Sequence, residues 1–139
     1  MSARTKARKR ALDVLYSADV RQTPLDQALA TEAERAAGLP QRESSWLYAR
    51  EIVSGVVDHR AEIDELIQTY ARGWTLERMP VVDRAILRIA IWELLYNPEV
   101  PAGVAISEAV EAATVLSTDD SSGFINGVLA TIANTMSKG

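Results

Sequence analysis

The sequence predicts an all-α fold, a seven-helix double bundle, and three observations carry that prediction. Breakers are scarce, with Gly 7 and Pro 5 in 139 residues, while the good helix formers Ala, Leu, Glu and Arg abound. Apolar residues recur at three- and four-residue spacings in segment after segment, and no stretch shows the period of two that a half-buried strand requires. The "NG" pair at 126–127 lies inside a helical pattern, not between two apolar runs, so it is no hairpin signal.

The first helix runs from Thr5 to Val20. At 100° per residue, Ala7, Ala11, Val14, Leu15 and Ala18 gather within about a third of the circle and define a core face. Lys9 and Tyr16, seven apart, share a line on the opposite side. Pro24 suits the first turn of a second helix ending near Ala37, with Thr23 as its N-cap and "GLP" (Gly38 to Pro40) as its stop. A third helix from about Arg42 to Val57 presents Trp46, Ala49, Ile52, Val53 and Val56 at helical spacing. Beyond a bend at Asp58 to Arg60, Ile63, Leu66, Ile67 and Tyr70 continue the pattern.

Gly73 and "TLERMP" then break the periodicity, and Pro80 opens the next helix. That helix, "PVVDRAILRIAIWELLY", has only Asp83, Arg84, Arg88 and Glu93 as charged residues, so it should be central. "NPEVP" ends it, a sixth helix covers Val104 to Leu116, and "STDDSS" leads into a seventh from Ser122 to Met136. The short connections predict neighbouring helices in two sub-bundles that share the apolar helix. The expectation is one domain, 1–139, with residues 1–6 as a flexible basic arm.

Composition narrows the function. Without cysteine there is no disulfide, thiolate zinc site or cysteine nucleophile, which suits a reducing cytoplasm. No apolar run approaches a membrane span or a signal peptide, so a soluble cytoplasmic protein is expected. His59 is the only histidine, and no GxSxG turn, Walker loop or GxGxxG stretch occurs. The chain is therefore read as no enzyme, with no metal and no cofactor.

Several charged residues have ordinary structural readings. Asp64 and Glu65 are adjacent on a helix and read as a solvated face. Asp119 and Asp120 precede a helix, where a carboxylate caps free N–H groups. Arg84 and Arg88, one turn apart on the apolar helix, call for carboxylates from neighbouring helices.

The N-terminus is different. Arg4, Lys6, Arg8, Lys9 and Arg10 put +5 into residues 1–10, whereas the remaining 10 Lys and Arg face 19 Asp and Glu, a balance of −9 within the total of −4. Cations at a helix N-terminus oppose its dipole, so local stability does not explain them. A polyanion would compensate, and an adjacent aromatic such as Tyr16 could stack on an unpaired base. A solvated helix end remains the alternative at this point.

Four stretches, "ARKRALDVLYSADV", "IDELIQTYARGW", "LERMPVVDRAILRIAIWELLY" and "VPAGVAISEAVEAATVLSTDDSSGFINGVLA", resemble in order and spacing the bacterial transcription antitermination factor NusB family. The resemblance implies a NusB-like double bundle that binds single-stranded boxA RNA of ribosomal leader transcripts jointly with ribosomal protein S10 (NusE). It further implies assembly with NusA, NusG and RNA polymerase, and a monomer or homodimer. Position by position, it implies an RNA surface of Arg4, Lys6, Arg8, Lys9, Arg10, Tyr16, Tyr70, Asp120, Phe124 and Asn126, and a NusE contact at Asp83 and Arg84.

The sequence also departs from the family pattern. Gly103, Thr114 and Gly123 stand where many relatives are basic, and the tail ends in one lysine. Fewer phosphate contacts imply weak RNA affinity alone and more reliance on NusE. The competing reading is a helical protein-interaction or self-associating module with little RNA binding of its own.

Overall fold

The structure, a computed structural model, describes residues 2–37 and 43–136. Among these residues seven helices follow one another: α1 (Ala3–Arg21), α2 (Leu25–Ala37), α3 (Glu43–Asp58), α4 (Arg60–Tyr70), α5 (Val81–Tyr96), α6 (Ala102–Leu116) and α7 (Ser121–Thr135). No strand forms among the described residues. The helices belong to two compact units, α1 to α3 and α4 to α7, divided between Asp58 and His59.

In the first unit α1 packs on α2 and α3, and α2 on α3. The five residues assigned to the inner face of α1 are buried, as are Trp46, Ala49, Ile52, Val53 and Val56 of α3. Alanine at positions 7, 11, 18 and 49 keeps the helix surfaces flat where they meet. The start of α1 lies earlier than the apolar pattern shows, because Ser2 caps it: its Oγ accepts the Thr5 N–H at 3.0 Å. The segment expected as a flexible arm is thus helical from Ala3 onward.

The end of α1 is closed by Gln22 in the left-handed region (φ 55°), after which the Thr23 N–H returns to the Ala18 carbonyl at 2.9 Å. The Pro24 carbonyl accepts the Ala28 N–H at 3.1 Å, so Pro24 takes the capping position expected for Thr23. The "GLP" stop and the start at Arg42 lie outside the described residues.

In the second unit α5 packs on α4, α6 and α7. Every residue from Ala85 to Leu94 is buried, which explains a sequence so poor in polar positions. Arg88 lies within this core, and Asp64 of α4 answers it through two parallel bonds, Nε to Oδ1 at 2.9 Å and Nη2 to Oδ2 at 3.1 Å. The pairing expected for Arg88 is therefore present. The solvated face expected for Asp64 and Glu65 is corrected for one of the two: Glu65 is exposed, but Asp64 turns to α5, because a buried guanidinium requires a carboxylate partner.

His59 is half-buried and stacks on Tyr96 (3.7 Å between centroids, 8° between planes), and the Tyr96 hydroxyl donates to Glu62 at 2.5 Å. Burial and that hydrogen bond push the Tyr96 phenol up to about 12, and the same bond holds the Glu62 carboxyl below its ordinary value. This cluster joins α4 to the end of α5.

Candidate nucleic-acid interface

Each unit carries its own set of candidate contacts. In the first, Ser2, Lys6, Lys9, Asp13, Tyr16 and Val20 recur at three- and four-residue steps, and all are exposed. Lys9 and Tyr16 therefore share an outer line, with Tyr16 46% exposed. Two cations and one ring on a regular helix form a stripe that a strand of alternating phosphates and bases could follow.

The other cations of the cluster are turned elsewhere. Arg8 is 9% exposed, because it stands seven residues before Leu15 and so shares nearly the same inward line. Its interaction partners lie within the protein. This corrects its placement on an open surface, since a guanidinium must be reachable to meet a phosphate. Arg4 is half-buried, with its guanidinium 4.8 Å from the centre of the Tyr48 ring, and Arg10 is half-buried too. Tyr48 carried no signal in the sequence as a partner of Arg4, because the two are brought together only by the packing of α1 on α3.

In the second unit Asp83, Asp120 and Phe124 come together at the corner between α6 and α7, whereas Tyr70, Arg84 and Asn126 do not line it. Buried Asp83, 2% exposed, accepts from the Ser117 hydroxyl at 2.6 Å and the Ser121 hydroxyl at 2.9 Å. Ser121 also bonds Ser117 and Thr118, each at 2.9 Å. The carboxylate at the start of α5 thereby ties down the first turn of α7. Asp83 has an internal role, which is at odds with a direct contact to NusE. Arg84, half-buried, donates from Nη1 to the Leu76 carbonyl at 2.8 Å and steadies the segment before α5.

Held in this way, α7 begins at Ser121 with Asp120 in the capping position, yet the Asp120 side chain makes no capping hydrogen bond. Its backbone carbonyl takes the Phe124 N–H at 3.2 Å, and its carboxylate is left exposed. The expected cap is therefore corrected: Asp120 has a helical backbone (φ −83°, ψ −16°) in place of the extended one from which a cap side chain reaches back. Phe124, one turn on, lies on the same side as Asp120. Asn126 is exposed but two residues further, about 200° round the helix, and so faces elsewhere. Tyr70 closes α4 and is half-buried.

The residue that sequence reasoning missed is Trp74. It is 47% exposed and stands 6.0 Å from the Phe124 ring at a tilt of 44°. Arg72 and Gly73 precede it at φ 22° and 83°, a reversal in which Gly73 takes the left-handed position without strain. Leu76 and Met79 are buried and anchor the rest of the loop. The available signal was a tryptophan next to a glycine in a segment with no helical period, which no core face could claim. Together Trp74, Pro80, Asp83, Thr118, Asp120, Ser121 and Phe124 line a cavity of about 340 Å³.

Exposed cations and exposed aromatic rings on a helical scaffold are the features of a nucleic-acid-associated class of binding protein. The NusB family profile matches residues 5–134. Among curated relatives, the transcription antitermination protein NusB of Leifsonia xyli subsp. xyli (strain CTCB07) is 77% identical over 133 residues, 96% of this chain and 92% of the relative. That of Clavibacter michiganensis subsp. michiganensis (strain NCPPB 382) is 64% identical over 97% of this chain and 98% of its own length.

Among solved structures, NusB of T. maritima superposes with a TM-score of 0.83 at 33% identity, covering 94% of this chain and 90% of that one. A crystal structure of antitermination factors NusB and NusE in complex with dsRNA matches with a TM-score of 0.82 at 26% identity, over 97% and 98%. This chain belongs to the NusB family of transcription antitermination proteins and is not an enzyme. No helix among the described residues is long and apolar enough to cross a membrane.

Proposed function

We propose that this protein acts in the cytoplasm as an antitermination factor that binds boxA-type single-stranded leader RNA together with NusE. The complex then joins NusA, NusG and RNA polymerase. The observation that carries the reading is the likeness, over nearly the whole chain, to a NusB solved with NusE and RNA. The exposed line of Lys6, Lys9 and Tyr16 supports it from this chain's own residues. Single strands are favoured because stacking side chains require unpaired base faces.

On this reading Lys6, Lys9 and Tyr16 form one RNA-contacting set, with Arg4 and Arg10 at its margin. Asp120, Phe124, Tyr70 and Asn126 supply further contacts. Arg8 serves through α1's packing. NusE is placed near the first turn of α5, where Asp83 acts indirectly by holding the α6–α7 corner.

The test is a titration of labelled boxA RNA with the protein alone and with NusE, against single- and double-stranded competitors. The expected result is tighter binding with NusE and stronger competition by single strands. Absence of RNA binding in either condition would overturn the proposal in favour of a protein-only module, a reading that the buried Arg8 and the glycines at 103 and 123 would then explain.

A further inference from the structure

We propose that Tyr48 of α3 is a positioning residue for RNA binding: its ring seats the Arg4 guanidinium at the surface, where it meets a phosphate of the bound strand. The inference rests on the RNA-binding reading above and adds to it a residue on α3 and the way that residue acts.

Three observations carry it. The Arg4 guanidinium carbon lies 4.8 Å from the centre of the Tyr48 ring, and both side chains are half-buried. Arg8, one turn further along nearly the same side of α1, is 9% exposed, so that side of the helix leads inward. At Arg4 the guanidinium lies over an aromatic ring and stays within reach of solvent. Lys6, finally, is exposed and only two residues on, about 3 Å along the axis, so a strand following Lys6, Lys9 and Tyr16 passes the end of the helix at which Arg4 is held.

The stability of α1 does not call for an arginine here. Ala7, Ala11 and Leu15 of α1, with Ala49, Ile52 and Val53 of α3, already supply a buried apolar core, and a cation in the first turn opposes the helix dipole. The pair has a use in binding. A long arginine side chain has much rotamer freedom, which a phosphate contact must freeze. A ring that holds the charge in place beforehand lowers that cost, and its face engages the cation without consuming the N–H donors in the guanidinium plane. Those donors then serve a phosphate oxygen.

The experiment titrates labelled boxA RNA with the full chain at several salt concentrations, with and without NusE. Tyr48→Leu should weaken binding about three- to tenfold at low salt and lower the salt slope by about 0.7, the share of one phosphate. Tyr48→Phe, which keeps the ring face, should restore both. Arg4→Gln should reproduce the losses of Tyr48→Leu, and the double variant should bind no more weakly than Arg4→Gln alone, because the two residues act as a unit.

A Tyr48 that only packs α3 would lower the melting temperature on substitution and leave the salt slope as it was. An unchanged slope in Tyr48→Leu, or additive losses in the double variant, therefore overturns the proposal and leaves the RNA reading standing. A second measurement needs no variant: in side-chain NMR spectra of the unaltered protein, the Arg4 Nε–H signal should move as RNA is added. An Arg4 signal that stays still while RNA binds likewise overturns the proposal. No binding of any RNA, with or without NusE, overturns both.

Discussion

The two units differ in where most of their charges stand. In the α1–α3 unit, Lys6 and Lys9 stand on an exposed line, and of the basic cluster Arg8 alone is buried. In the α4–α7 unit, Asp83 and Arg88 are drawn inside and bonded, while Trp74 is left partly outside. Exposed charge acts at a distance and is screened by salt, whereas buried paired charge acts by fixing geometry. The first unit therefore offers attraction for a polyanion and the second offers a shaped corner.

The largest effect that would break this comparison is expected at the α4–α5 pair. Asp64→Ala leaves the Arg88 guanidinium inside the core and should cost about 3–5 kcal/mol in urea unfolding, towards the lower end because Asp64 is partly exposed. Pairing it with Arg88→Met should recover most of the loss. Next comes Asp83→Ala, expected to cost about 1–3 kcal/mol because the Ser117 and Ser121 hydroxyls lose their acceptor. That variant should also weaken RNA binding through the loosened corner, and unchanged exchange of the α7 amides in hydrogen–deuterium exchange would count against the link.

In the first unit, Tyr16→Ala should weaken RNA binding by about 1–3 kcal/mol at low and high salt alike, as stacking does. Replacing Lys6 and Lys9 with Gln should instead reduce the salt slope of single-strand binding by about 1.4, near 0.7 for each phosphate no longer neutralised, with little change in stability. The converse addition is available on α7: a Cβ at Gly123 meets no atom within 4 Å. Gly123→Lys should therefore be accommodated and gain up to about 0.5–1 kcal/mol of helix stability. It should also steepen the salt slope by about 0.7, giving the second unit some of the first unit's character.

The smallest effect is expected at the Tyr96–Glu62 bond. Tyr96 is raised to about 12, so its contribution to stability is complete below its ordinary 10.0 and disappears as pH rises through about 12. Glu62 is lowered, so its contribution holds above its ordinary 4.5 and fades as pH falls below that value. Tyr96→Phe should flatten both limbs in thermal melts followed against pH, and NMR titration of the Glu62 carboxyl should show it returning upward.

How much could be read from the chain differs by kind of residue. Ala7, Ala11, Val14, Leu15 and Ala18 were legible because a helical core face is periodic, and Lys9 and Tyr16 were legible as its opposite. Arg8 was not, because a cluster of cations does not say which of them points inward. Asp120 was misread as a cap because a carboxylate before a helix fits that role in sequence, whereas the choice depends on its φ and ψ. Trp74 was overlooked because its partner, Phe124, is fifty residues away in sequence.

By itself the sequence determined the helices, their core faces, the basic stripe on α1 and, through its ordered motifs, membership of the NusB family. These follow from local propensity, period and spacing, which are properties of a linear chain. Only the tertiary structure decided that Arg88 answers Asp64, that Asp83 ties α7 through Ser117 and Ser121, and that Trp74 meets Phe124 over a cavity beside Asp120. Those are encounters between distant segments, and they are settled by how helices pack and by the need of each buried polar group for a partner.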